Sequence, residues 1–266
     1  MRTKTLILAL LLTLPAAAQE AGGQSTVVHS SRAIGIGATS ILDTYLSEEH
    51  FSGGGVSFLA TVERQKPHRN WGTLMEHEAN LSTTRDRAHT ERELEGAYNF
   101  YWGRLRQWQL MDGRLRLQAG GMGNVSLGFI YNTSNSNNLA QARAHLNLMP
   151  TGIAAYRFAV RGIPVTARYE LALPLVGIRF SPNYGQSYYE MFVRGDYDHN
   201  VIPTTFISAP EFRQLLTLDI GIGRATTLRI GYLGNYQQAA VNHLKQHVYT
   251  HRAVIGVSRS FSIVRR

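Results

Sequence analysis

The chain has 266 residues, with 27 Lys and Arg against 18 Asp and Glu, a formal net charge of +9, and no cysteine. No disulfide framework can staple the fold, so it must be held by burial or by a closed hydrogen-bond network. Lysine stands only at positions 4, 66 and 245, and the remaining positive charge is Arg spread along the chain with no basic helix or stripe, which argues against nucleic acid and for lipid phosphates or acidic glycans as partners.

The first segment carries Met1, Arg2 and Lys4, then the run TLILALLLTLPAAA, with Ala16 and Ala18 fitting a cleavage site before Gln19. This pattern predicts a signal peptide over residues 1–18. The apolar run is shorter than the roughly 20 residues of a spanning helix. Residues 19–266 are then expected to form one exported domain.

A two-residue alternation follows along that domain, the signature of strands with one apolar face. The first predicted strand lies near 27–42 and the second near 54–64, with Val56, Phe58, Ala60 and Val62 on one face. The third, 71–82, sets Trp71, Met75, Ala79 and Leu81 against Glu76 and Glu78. The fourth keeps its phase from Leu94 through Tyr98, Phe100 and Trp102 to Leu110, where Asp112-Gly113 supplies a tight hairpin turn. The fifth runs from Leu115 to Tyr131 and the sixth from about 143 to Val160, closed by a turn at Arg161-Gly162. The seventh is VTARYELALPL, 165–175. After an irregular stretch, 178–211, come strands near 216–222, 228–237 and 247–263, the first two joined at Gly223-Arg224-Ala225. Glycines 35, 37, 120, 121, 123, 221 and 223 precede no helical pattern and therefore read as strand bends rather than a nucleotide loop.

Alternation alone leaves open which face is inside. A lipocalin-like soluble barrel buries its apolar face, whereas a transmembrane barrel turns it to lipid and keeps polar residues in the lumen. The membrane reading is favoured by strands longer than the roughly 9–11 residues that a bilayer needs. Tight turns at 111–113, 161–164 and 223–226 oppose long connections expected at 83–91, 132–140, 178–211 and 238–246, which also fits. Trp71, Trp102, Trp108, Tyr131, Tyr156, Tyr236 and Phe261 are placed to form girdles at the interfaces. The expected fold is an all-β, antiparallel transmembrane β-barrel of ten strands. The alternative is twelve, if 186–195 and 200–207 form an extra hairpin.

GATSILDTYLS (37–47), FIYNTSNSNNLAQARAHLNL (129–148), LALPLVGIRFSPNYGQSYYE (171–190), YDHN (197–200) and LTLDIGIGRATTLRIGYL (216–233) resemble an uncharacterised family of outer-membrane β-barrel proteins common in Bacteroidales-type bacteria. The resemblance covers nearly all of the mature chain and is most specific over 171–190. It implies export to the outer membrane of a Gram-negative cell and handling by the barrel-assembly machinery. It brings no catalytic residues. The usual assembly signal ends on an aromatic residue, whereas here Phe261 is followed by SIVRR.

Candidate functional residues fall in three groups. Glu95, Arg114, Arg116, Arg168, Glu170, Asp219 and Arg229 are expected to face the lumen, where they either form cross-strand ion pairs that plug it or line an anion-favouring path. In the 178–211 segment, Tyr184, Tyr188, Tyr189 and Glu190 suit a glycan or a lipid head group, a loop folded into the lumen as a constriction, or a loop packed by its own side chains. Ser187 (or Ser181), His199, Asp196 and Asp198 give a hydrolase alternative acting on lipid or peptide, without the spacing of a nucleophile elbow. His243, His247 and His251 would share a face on a helix, but on a strand residues four apart lie about 13 Å apart, too far for one ion. No cofactor and no metal are expected. The favoured role is structural, or small-solute or ligand binding or passage at the cell surface, with the enzyme second.

Overall fold

The computed structural model describes residues 25–66, 69–134 and 139–264, so the expected signal peptide lies outside the described residues. The strands are β1 (Ser25–Asp43), β2 (Ser47–Gln65), β3 (Trp71–Arg85), β4 (Arg92–Leu110), β5 (Leu115–Asn132), β6 (Ala140–Val160), β7 (Ile163–Ala172), β8 (Val176–Phe180), β9 (Val201–Thr205), β10 (Phe212–Gly221), β11 (Thr226–Val241) and β12 (Leu244–Val264). One short helix, α1 (Tyr188–Phe192), lies between β8 and β9.

All pairings are antiparallel, and β12 closes on β1 over the full length of β1, so the sheet has no long free edge. Closure leaves each strand with partners on both sides, the condition for crossing a bilayer without a helix. The ring contains ten strand positions, and the two additional strands are continuations within it. β7 and β8 both pair with β6, the register slipping at Leu173-Pro174-Leu175. Leu173 and Leu175 donate their N–H groups to Pro150 O and Leu148 O, while Pro174 between them has none to give. β9 and β10 likewise lie along β8 and β7, separated by residues 206–211. Of the extra hairpin considered for 186–195 and 200–207, the second segment is a strand, β9, but the first is a loop bearing α1, and β9 continues an existing ring position along β8, so the barrel has ten positions.

The register fixes the shape. Stepping across the ladder from Val27 gives Gln65, Gly72, Leu105, Gly120, Thr151, Ala172, Arg213, Asn235, Thr250 and then Thr39, twelve residues further along β1. Such a stagger tilts the strands by about 35–45° and leaves a lumen close to the size of its own side chains.

The apolar face is outside. Ile36, Phe58, Leu81, Trp102, Leu127, Leu146 and Ile255 are exposed on the wall, while Glu76, Glu78, Glu95, Asn99, Arg168, Glu170, Arg213 and Arg252 are buried in the lumen. This arrangement is inside out relative to a soluble barrel and is that of a transmembrane one. The aromatic residues expected to form girdles all lie on the outer wall, with Tyr236 half-buried by stacking on Phe212 at 4.3 Å.

One rim collects the short turns, at 111–114, 161–162 and 222–225, together with both ends of the described chain. The other rim holds the 44–46 and 86–91 connections, the 181–200 segment and the β11–β12 turn. The long loop expected at 238–246 is absent. Val241 pairs with Leu244, and Asn242 and His243 turn the chain with φ of 51° and 62°. Two consecutive left-handed residues make a two-residue hairpin turn, for which Asn at the first position is favoured.

Candidate functional site

The lumen divides into three levels, and the sequence of charges and apolar residues on the inward faces sets each one. At the middle, Arg213 of β10 is almost fully buried and reaches three carboxylates from two other strands. Its Nε donates to Glu78 Oε2 at 2.8 Å, and its Nη1 lies 2.9 Å from Glu76 Oε2 and 2.7 Å from Glu170 Oε1. Its guanidinium also covers the Tyr101 ring at 4.9 Å. Arg168 lies 2.6 Å from Glu170 Oε2, and Asn235 donates to Glu78 Oε1 at 2.8 Å. Leu74, Tyr101, Leu105, Met122, Met149, Ile153 and Ala172 fill the lumen beside this clamp. Charges withdrawn from water must be paired and hydrogen-bonded, and these span the barrel to achieve it.

Towards the loop rim, Arg143 Nη1 donates to Glu95 Oε1 at 3.1 Å, and its Nη2 bonds Gln237. Arg179 pairs with Glu211 and donates to Gln246 Oε1 at 3.1 Å, while Gln246 Nε2 donates to Asp43 Oδ2 at 2.7 Å. Arg252 is fully buried and is held by hydroxyls and a carbonyl: Ser57 Oγ at 3.1 Å, Thr39 Oγ1 at 2.8 Å, Ser82 Oγ at 3.1 Å and Ala38 O at 2.5 Å. Above these, Ile41, Tyr45, Leu46, Phe51, Ile130, Leu244 and Val248 form an apolar stopper.

The 181–200 segment covers that stopper. Tyr188 sits edge-on to Tyr45 at 5.7 Å, donates its hydroxyl to Gln141 Oε1 at 2.9 Å and accepts from Ala142 N at 2.7 Å. Burial pushes its phenol well above the usual range. Met191 is buried, whereas Tyr184 and Tyr189 point to solvent. Ser187 is the N-cap of α1: its Oγ accepts from Glu190 N, while its own N–H and hydroxyl reach the Glu190 carboxylate at 2.8 and 3.0 Å. Those bonds, the backbone one first, hold the Glu190 carboxyl below the usual glutamate range.

Of the residues of the hydrolase alternative, Asp198 and His199 meet, whereas both candidate serines bond elsewhere. Ser187 Oγ is committed to the cap, and buried Ser181 donates to Pro182 O at 3.0 Å. His199 is exposed, with Nδ1 2.5 Å from Asp198 Oδ1, and Asp196 faces Arg194 at 3.6 Å. His247 and His251 lie on the outer wall of β12, His251 bonded to Tyr232 at 2.6 Å, and His243 is in the hairpin turn. Among the described residues, no group of His, Asp and Glu is arranged to hold a metal ion.

At the tight-turn rim the lumen is open. A cavity of ≈ 160 Å³ is lined by Arg116, Arg157, Arg168 and Arg229, by Glu63 and Asp219, and by His29 with a set of Ser and Thr hydroxyls. Arg229 grips Asp219 through two bonds of 2.7 and 2.8 Å and Ser31 Oγ through a third of 2.7 Å. Arg116 donates to Glu63 at 3.0 Å. Of the residues expected in the lumen, Glu95, Arg116, Arg168, Glu170, Asp219 and Arg229 are there. Arg114 is exposed in the 111–114 turn, because the strand phase starts only at Leu115. Arg213, Arg252, Arg143, Glu63, Glu76 and Glu78 are among the interior charges missing from that expectation, and they occupy the polar face of a predicted strand or its direct extension, whereas Arg179 and Glu211 come from the stretch read as irregular.

Fold and lumen together define a closed ten-stranded antiparallel barrel with an apolar wall and a braced, charged interior. Among curated proteins none matches the chain. A family model, "Protein of unknown function (DUF3316)", matches residues 4–266, and the chain belongs to that family. Similar solved structures include the translocator domain of the autotransporter NalP from Neisseria meningitidis, 10% identical, covering 91% of this chain and 90% of that one with a TM-score of 0.40. The outer membrane protease OmpT from Escherichia coli is 8% identical over 90% of this chain and 97% of its own, with a TM-score of 0.49. An outer membrane channel from Pseudomonas putida F1 is 8% identical over 94% and 100%, with a TM-score of 0.35.

Proposed function

We propose that this protein resides in the outer membrane of a Gram-negative cell as a sealed, non-conducting barrel whose vestibule at the tight-turn rim faces the periplasm. The observation that carries this reading is the double closure of the lumen: the Arg213 clamp across the middle and the apolar stopper under Tyr188 at the loop rim. A water-filled pore needs a continuous polar path, and each closure interrupts one. The outer wall supports the membrane assignment. Near the tight-turn rim, Arg104 lies over Trp71 at 5.8 Å and Arg106 over Trp108 at 5.4 Å, on the outward face where a ring and a cation meet head groups. The role is then structural, or the binding of a small solute from the periplasmic side, with lipids around the wall as partners.

Planar-bilayer recording tests this reading. The folded protein is expected to give no steps above baseline at either polarity, and a stable wild-type conductance would refute the seal. Recovery from the outer-membrane fraction, with a heat-modifiable band in detergent, tests the location.

A further inference from the structure

We propose that the vestibule at the tight-turn rim is an oxyanion-binding site, taking a phosphate or carboxylate group of a small solute. This rests on the sealed-vessel reading for its sidedness but not for its chemistry. The cavity is lined by four guanidinium groups and two carboxylates. Both carboxylates are already engaged, Glu63 by Arg116 at 3.0 Å and Asp219 by Arg229 through a two-bond fork. That leaves Arg157 and Arg168 as the cations with capacity to spare. Arg168 lies 2.6 Å from Glu170 through Nη2, but its buried Nη1 makes no hydrogen bond. Among the described residues no carboxylate pairs with Arg157, which is exposed at the mouth.

An arginine buried to this degree with an idle donor is costly, because an unpaired polar group loses its water without a replacement. A bound oxyanion would supply the missing acceptor to Arg168 and the missing counter-charge to Arg157. Guanidinium groups match phosphate and carboxylate geometry in a way a lone ammonium does not. The rest of the lining fits the same ligand. Thr166, Thr227, Ser258 and Ser260 offer hydroxyl donors, Ser260 already bonding His29 Nδ1 at 2.6 Å. A volume of ≈ 160 Å³ is enough for a small molecule, since an engineered apolar cavity of about 150 Å³ holds benzene. The site is blind: the Arg213 clamp lies beyond Arg168, linked to it through Glu170, so a solute entering from the rim stops there.

Isothermal titration of the folded full-length mature chain in a zwitterionic detergent, with inorganic phosphate in one arm and acetate in the other, tests the site. Saturable one-site binding of either ion, weakening as salt is raised, is expected. Arg157→Gln, at the open mouth and outside the braced network, should weaken it about tenfold while the heat-modifiable band is kept. Arg104→Gln, on the outer wall, should leave it unchanged. Neither ion saturating, or Arg157→Gln binding like wild type, would overturn the proposal, as would equal losses in the two variants. Because the titration is done in micelles and the seal is judged by conductance, the two readings fail separately.

Discussion

At the scale of single residues, the interior is built from guanidinium groups given space and partners. Arg252 shows how space is made. A Cβ on Gly55 would lie 2.4 Å from Ser82 Oγ and 2.6 Å from both Arg252 Nη2 and the Leu81 carbonyl oxygen, so glycine leaves the room in which the guanidinium sits. Gly55→Ala is expected to displace Arg252 and to cost about 1–3 kcal/mol, the usual penalty of overpacking, read by urea unfolding in detergent. A change smaller than the error of that measurement would show that the arginine moves aside freely. Arg213 shows how partners are supplied. Removing it leaves Glu76 and Glu78 without a cation and Glu170 with Arg168 alone. Arg213→Met should therefore destabilise by about 3–5 kcal/mol, as breaking a buried pair does. Adding Glu78→Gln should restore part of the loss, because one uncompensated charge is removed with it. The alternation made these carboxylates legible as one face of a strand. It did not show that they share a single arginine, because Arg213 is far from Glu76 and Glu78 in the chain and only the register brings them together.

At the scale of elements, the walls and the tight-turn rim were legible, and the loop rim was legible only in part. Each ladder strand repeats its phase over many residues, so one slip would turn a whole face around, and the pattern fixes inside and outside once the solvent is chosen. Leu127, exposed on β5, carries a consequence of that choice. Leu127→Arg should impair insertion by about 2–4 kcal/mol if it meets the middle of the bilayer, checked by folding yield into lipid vesicles. Full insertion of that variant would put the wall in water. The rims follow local turn chemistry instead. Asn242-His243 read as part of a polar loop because polar composition says nothing of φ, yet its two left-handed residues continue β11 directly into β12. Pro174 broke the seventh strand without ending it, since pairing with β6 resumes one residue out of step. In α1 the capping box depends on an ionised Glu190. Its carboxyl titrates below the unfolded value, so the cap is complete above that value and is lost as pH falls through the folded one. Protection of the amides over 187–193, corrected for their intrinsic exchange, should fall as the pH drops below the ordinary glutamate range, and Glu190→Gln should remove that step. Protection that stays flat with pH in the wild type would mean that packing of Tyr188 and Met191 holds the helix without the cap.

At the scale of the whole molecule, the two closures lie in series and are chemically unlike. The clamp is ionic and depends on residues from β3, β7 and β10, whereas the stopper is apolar and depends on the loop rim with Tyr188 above it. Series closure means that opening either one alone leaves the other intact, so conductance should respond to paired changes and not to single ones. Tyr101→Ala with Arg213→Ser would remove both the guanidinium and the ring it covers at 4.9 Å, and Tyr188→Ala with Phe51→Ala would remove the lid contact and one member of the stopper. Each pair alone is expected to stay silent in planar bilayers while keeping a heat-modifiable band. The fourfold variant should pass a small current through the gap those four side chains leave beside Leu74, Leu105, Met122, Met149 and Ile153, because ten strands with this stagger enclose a lumen that only side chains fill. If the lid pair conducts by itself, the central clamp is no barrier to ions and Arg213 acts in stability alone. If the fourfold variant folds and stays silent, the lumen is shut by something other than these two groups. The size of the current then measures what the sequence conceals most completely: an Arg-rich face reads as the plug of a barrel or as the lining of a channel, and only the positions of the acids across the barrel distinguish the two.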